Sequence, residues 1–189
     1  SVTACMDQVL GYNLTNNEIA ELTFQAERLN LGVPGGWQDQ YSSAIGGINL
    51  MEFDSKKTLV SPIPLSNQTI RILEHSLVLC GTGLEHESGN IHDDQKQNLT
   101  EEKIFENVKK NVQMVFTLRN HLEHARISEL GEVMDAAWEL KKTYSPLISN
   151  RYLDEIYSFS KEHGAKGGKI LGAGGGGFFL FYVEPEKRT

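Results

Sequence analysis

Apolar residues recur every three or four positions over much of the chain, and in a few short stretches they alternate or run together instead. Val2, Met6 and Val9 form a short apolar stripe that predicts a helix over residues 2–10, with no capping residue ahead of it. Thr15-Asn16-Asn17-Glu18 has the form of a capping box, in which hydroxyl and carboxylate each satisfy a backbone amide of the other. Ile19, Leu22, Ala26 and Leu29 follow at helical spacing, so a helix over about 16–30 is predicted. Gly32-Val33-Pro34-Gly35-Gly36 breaks it, and a short helix is expected from near Trp37 to Gly46-Gly47. Ile48, Leu50 and Phe53 then alternate roughly as a strand would, and Lys56-Lys57 marks the turn into a second strand over 58–63.

Further along, Leu77, Val78 and Leu79 read as a fully apolar core strand over 76–80. Residues 81–98 are polar and fit either a loop or a frayed helix start. Ile104, Val108, Val112, Val115 and Leu122 mark a long amphipathic helix from Thr100, with Glu101 and Glu102 in the first turn, where they suit its dipole. A helix from Ser128 to about Thr143 turns Leu130, Val133, Met134, Ala137 and Trp138 inward. Another, over 150–163, uses Leu153, Ile156 and Tyr157 and stops at Gly164. Residues 168–171 and 178–183 read as strands around a glycine loop. Strands and helices alternate irregularly after residue 55, which favours an α+β fold with antiparallel sheet over a parallel doubly wound one.

Composition narrows the partners. The 189 residues carry a formal charge of −7, with no basic run longer than pairs such as Lys109-Lys110 and Lys141-Lys142, so a nucleic-acid partner is not expected. Cys5 and Cys80 are far apart and lack metal-ligand spacing, which argues against a disulfide scaffold or structural zinc and makes a reducing cytoplasm the default. No apolar run approaches the ~20 residues that span a bilayer, so no membrane partner is expected either.

Two segments carry candidate chemistry. Gly172-Ala173-Gly174-Gly175-Gly176-Gly177 satisfies the GxGxxG pattern, but a strand rather than a helix follows it, so the dinucleotide reading fails on context. A strand–loop–strand hairpin remains, with Gly172, Gly174, Gly175 and Gly176 letting a ligand or neighbouring loop approach the backbone closely. Asp39 lies about one turn into the short helix, where the dipole favours a carboxylate able to accept a hydroxyl proton. Gln38 and Gln40 offer amides to sugar hydroxyls and Trp37 an apolar face; Asp39 as a simple helix cap and Trp37 as core fit equally well. Glu27 is a hard oxygen donor that suits Mg²⁺, or a solvated helix residue. His121 and His124 sit three apart on a helix without a third ligand and read as a solvated face.

The blocks Gly36-Trp37-Gln38-Asp39-Gln40-Tyr41, Ala137-Trp138-Glu139-Leu140-Lys141-Lys142 with Ser145-Pro146, and Gly167-Gly168-Lys169-Ile170-Leu171-Gly172-Ala173-Gly174-Gly175-Gly176-Gly177-Phe178 resemble, in order, the GHMP small-molecule kinases. The likeness is strongest to the branch that phosphorylates heptose 7-phosphate, with the fucokinase branch next. It implies a remnant of a ribosomal-protein-S5-like N-terminal domain over 1–54, joined to a ferredoxin-like C-terminal domain over 55–189. It implies ATP as phosphoryl donor, Mg²⁺, a sugar or sugar phosphate as acceptor, Asp39 as catalytic aspartate, Glu27 as magnesium ligand and the glycine loop as part of the phosphate pocket.

The family's glycine-serine phosphate loop is expected upstream of Ser1, so the chain alone is expected to be inactive. Exposed apolar residues such as Val2 and Met6 then suggest association into a homo-oligomer. The rival reading is a non-catalytic protein that keeps this architecture to bind a sugar or a partner.

Overall fold

The computed structural model describes every residue except 34, 55–56, 86–87 and 189, so Pro34 of the expected break and Lys56 of the expected turn lie outside the described residues. Two compact units, Ser1–Pro64 and Leu65–Thr189, make up the chain.

The first unit begins with α1 (Val2–Leu10), which does have a cap: Ser1 Oγ accepts from the Ala4 amide, and Gly11 ends the helix at φ 69°. Val2, Met6 and Val9 stand exposed on it. The capping box forms, with the Thr15 amide donating to Glu18 at 2.7 Å and the Glu18 amide to Thr15 Oγ1 at 3.3 Å. It starts α2 (Asn16–Phe24), but the helix expected to reach residue 30 is regular only to Phe24. Gln25–Asn30 widens into a π turn, closed by Leu31 N donating to Ala26 O at 3.0 Å. Then come α3 (Gln38–Ile45) and an antiparallel hairpin of β1 (Asn49–Phe53) and β2 (Thr58–Pro62). The hairpin's pairing carries the unit past residue 54 to Pro64.

The second unit opens with α4 (Asn67–Ser76), a helix the periodicity reading passed over. Its signals are Ser66, whose Oγ accepts from the Thr69 amide, and the buried face Thr69, Leu73 and Ser76. A three-stranded antiparallel sheet follows, in the order β3 (Leu77–Gly81), β5 (Phe178–Val183), β4 (Ala165–Ile170). The expected core run at β3 is only half-buried, with Leu79 57% exposed. The ambiguous polar segment contains a helix, α5 (Ser88–Asn98). It precedes α6 (Glu102–Glu123), α7 (Leu130–Lys142) and α8 (Arg151–Glu162).

Both sheet faces are covered. Phe179 and Phe181 pack with Trp138, Leu153 and Tyr157, while Tyr182 packs with Leu73, Ile127, Leu130 and Met134. Helix α7 lies on β4 so closely that a Cβ at Gly167 would come within 2.1 Å of Gly131 O. That approach delivers the last turn of α7 to the glycine loop, where Lys141 Nζ donates to Gly172 O.

Candidate functional site

In the first unit the π turn and α3 bring the expected acidic residues to one small cavity of about 110 Å³. Glu27, Asp39 and Gln40 line it with Ser1, Thr23 and Ser43, so its donors are oxygen and amide groups. Glu27 Oε2 accepts from Gln40 Nε2 at 2.6 Å. Gln40 is buried, and its Oε1, itself closed off from solvent, has no hydrogen-bond partner among the described residues. Arg28, next to Glu27 on the π turn, reaches Asp39 Oδ2 at 3.4 Å and Val33 O at 3.3 Å. The guanidinium is largely buried and the Asp39 side chain 69% exposed, so the carboxylate is steered at one oxygen while remaining open to solvent. Gly35 makes room for this, since a Cβ there would meet the guanidinium carbon at 2.6 Å.

Side-chain packing fixes the start of α3. Trp37 stacks on Phe24 with ring centres 3.5 Å and planes 6° apart, and leans on Tyr41 and Phe53 at 6.5 Å. Trp37 thus spends one face on the protein, and Gln38 beside it is exposed. Tyr41 donates its hydroxyl to Glu21, and burial, then that carboxylate, push the phenol up. The sequence reading did not single out Glu21 or Arg28; an arginine directly after the candidate metal ligand was the available signal.

In the second unit the loop between β4 and β5 is held by backbone bonds. Gly175 N donates to Ile148 O at 2.8 Å, Gly177 N to Leu84 O at 3.1 Å and Thr82 N to Gly177 O at 2.8 Å. A Cβ at Gly174 would lie 3.0 Å from Ile148 Cα, and one at Gly176 2.8 Å from Leu84 O, so these glycines admit neighbouring chain. Gly172, at φ +73°, has nothing within 4 Å of such a Cβ and marks the loop's open side. His124 Nδ1 lies 2.8 Å from Asn120 O, and no group of three metal-ligating side chains occurs among the described residues.

The family described as GHMP kinases N terminal domain matches residues 1–47, and that described as GHMP kinases C terminal matches 118–188, between them more than half of the chain. The chain belongs to the GHMP kinases. A GHMP kinase of Campylobacter jejuni, D-glycero-alpha-D-manno-heptose 7-phosphate kinase, is 36% identical over 95% of this chain and 53% of its own length. The Arabidopsis thaliana bifunctional fucokinase/GDP-fucose pyrophosphorylase is 30% identical over 96% of this chain and 18% of its own. Among solved structures, a D-glycero-D-manno-heptose 1-phosphate kinase from Bacteroides thetaiotaomicron superposes with a TM-score of 0.70 at 27% identity, covering 97% of this chain and 49% of that one. The chain therefore spans about half the length of the heptose kinases it matches. Its mixed helix-and-sheet architecture is the one these GHMP kinases share. No described helix is long and apolar enough to cross a membrane.

Proposed function

We propose that the protein carrying this chain is an ATP-dependent sugar kinase that phosphorylates the anomeric hydroxyl of a sugar or sugar phosphate, with heptose 7-phosphate the first acceptor to test. The observation that carries this reading is the cavity at which Glu27, Asp39 and Gln40 meet. Asp39, steered by Arg28 yet exposed, is built to accept the proton of an incoming hydroxyl. As that proton leaves, the sugar oxygen bonds the γ-phosphorus and the bond from phosphorus to the bridging oxygen of ATP breaks. Gln38, which is exposed, and Gln40, which lines the cavity, offer amides to the acceptor's other hydroxyls, with Trp37 as an apolar wall.

The carboxylates of Glu27 and Asp39 at a cavity otherwise lined by hydroxyl and amide side chains fit magnesium, which takes one or two carboxylates and fills its remaining positions with phosphate and water. Glu27 would hold the ion, with Gln40 fixing its carboxylate, and magnesium when bound offsets the negative charge of the phosphates. In the second unit, Gly172, Gly174, Gly175 and Gly176 are assigned to the phosphate-handling loop. The division into an N-terminal domain remnant and a C-terminal domain belongs to the same proposal, supported by matches at 1–47 and 118–188. Fucose is the second acceptor to test, favoured by the 30% identity to a fucokinase.

The test is ADP release by the full-length protein given ATP, Mg²⁺ and each sugar. Asp39→Asn is expected to slow transfer by roughly 10²-fold or more. An unchanged rate in that variant, or no transfer to any sugar or sugar phosphate, overturns the reading.

A further inference from the structure

We propose that Lys141 and Lys169, at the open side of the Gly172 turn, form a binding site for a phosphoryl group. Lys141 comes from the last turn of α7 and Lys169 from β4. Both are half-buried, and Lys141 Nζ already touches the loop through Gly172 O.

Other lysines of this unit show what these two lack. Lys142 lies 2.8 Å from Glu139, Lys161 2.9 Å from Asp135 and Lys166 3.0 Å from Glu184. Among the described residues no carboxylate lies within 4.0 Å of Lys141 or Lys169. The charged group that faces Lys141 is Lys169, a like charge. Burial, then the Lys169 charge, pushes the Lys141 ammonium down to about 8, and burial lowers Lys169 as well. Two partly desolvated cations that repel each other cost stability in the empty protein, and an anion between them removes that cost.

A compact dianion matches two ammonium groups, and lysine serves phosphate as a point charge. Space is available, because nothing lies within 4 Å of the Cβ position at Gly172. The choice of phosphate over other anions rests on the kinase reading, and the phosphoryl group belongs either to the nucleotide or to a phosphorylated sugar.

Calorimetric titration of the full-length protein with inorganic phosphate tests the site. Lys141→Met and Lys169→Met keep the aliphatic stems and are each expected to weaken phosphate binding at least tenfold, while Lys142→Met, whose ammonium is already paired with Glu139, binds it as the parent does. Titrations with ATP and with heptose 7-phosphate then separate the sources, since the site's ligand is the one whose affinity falls in the lysine variants. Variants that unfold cooperatively at or above the parent's midpoint exclude misfolding. No phosphate binding by the parent, or equal affinity in parent, Lys141→Met and Lys169→Met, overturns the proposal. Transfer that is lost in Asp39→Asn with phosphate affinity untouched by the lysine changes sinks this site alone. Lysine-dependent phosphate binding without transfer to any sugar sinks the kinase reading alone.

Discussion

Glu27 and Asp39 in the first unit each have a partner within that unit, Gln40 and Arg28, whereas Lys141 and Lys169 in the second have no carboxylate partner among the described residues. The scaffolds differ as well. The first site hangs on an aromatic stack and side-chain hydrogen bonds, the second on backbone bonds and on glycines that neighbouring chain presses against. Side-chain scaffolds fail by truncation and glycine scaffolds by addition, so the two should break under opposite substitutions.

Trp37→Ala is the largest expected effect. It removes a face-to-face partner of Phe24 and a wall for Tyr41 and Phe53, at a cost of about 3 kcal/mol by the magnitudes for large-to-small aromatic changes. The measurement is urea unfolding followed by hydrogen exchange, with lost protection expected over α2 and α3 and none over the β3-β5-β4 sheet. A loss spread evenly over both units would break the comparison.

Gly174→Ala comes next. The residue sits at φ +119° and its new Cβ would press on Ile148 backbone at 3.0 Å, so about 2 kcal/mol of destabilisation is expected. Gly172→Ala meets no atom and should cost only the left-handed conformation, about 1 kcal/mol. Equal midpoints for the two variants would show that crowding does not hold this loop.

The legibility of the two sites in the sequence differs for the same reason. The capping box, the helix at Trp37 and the strand–loop–strand reading of the glycine run rest on local rules, and each stands in the structure. The π turn did not show, because a regular helix and a widened one share the same apolar spacing until the chain must carry Glu27 and Arg28 toward α3. Leu77-Val78-Leu79 reads as core because a run of apolar residues does not say how far neighbouring elements cover its strand. Helix α4 was passed over although Ser66 caps it. The family resemblance brings Glu27 and Asp39, twelve residues apart, into one argument. Local spacing could not join Lys141 to Lys169, which only the packing of α7 on β4 through Gly131 and Gly167 makes neighbours.

The smallest expected effect separates the two kinds of charge most sharply, because its sign reverses. Lys141 has a folded-state pKa of about 8 against 10.5 when unfolded, so folding disfavours its charged form. That destabilisation is fully present below pH 8, where the lysine is charged in both states. It fades as pH rises toward 10.5, since the unfolded chain then holds the extra proton. Lys141→Met should therefore stabilise the empty protein by about 1 kcal/mol at pH 7, after discounting the lost hydrogen bond to Gly172 O, and the gain should shrink between pH 8 and 10.5. Phosphate at a hundred times its dissociation constant stabilises the parent by about 2.7 kcal/mol and leaves a variant without the site nearly unmoved, so the order of midpoints inverts. A lysine variant less stable than the parent at pH 7 without phosphate would mean that Lys141 holds the fold rather than waiting for an anion, and the contrast between the units would be lost.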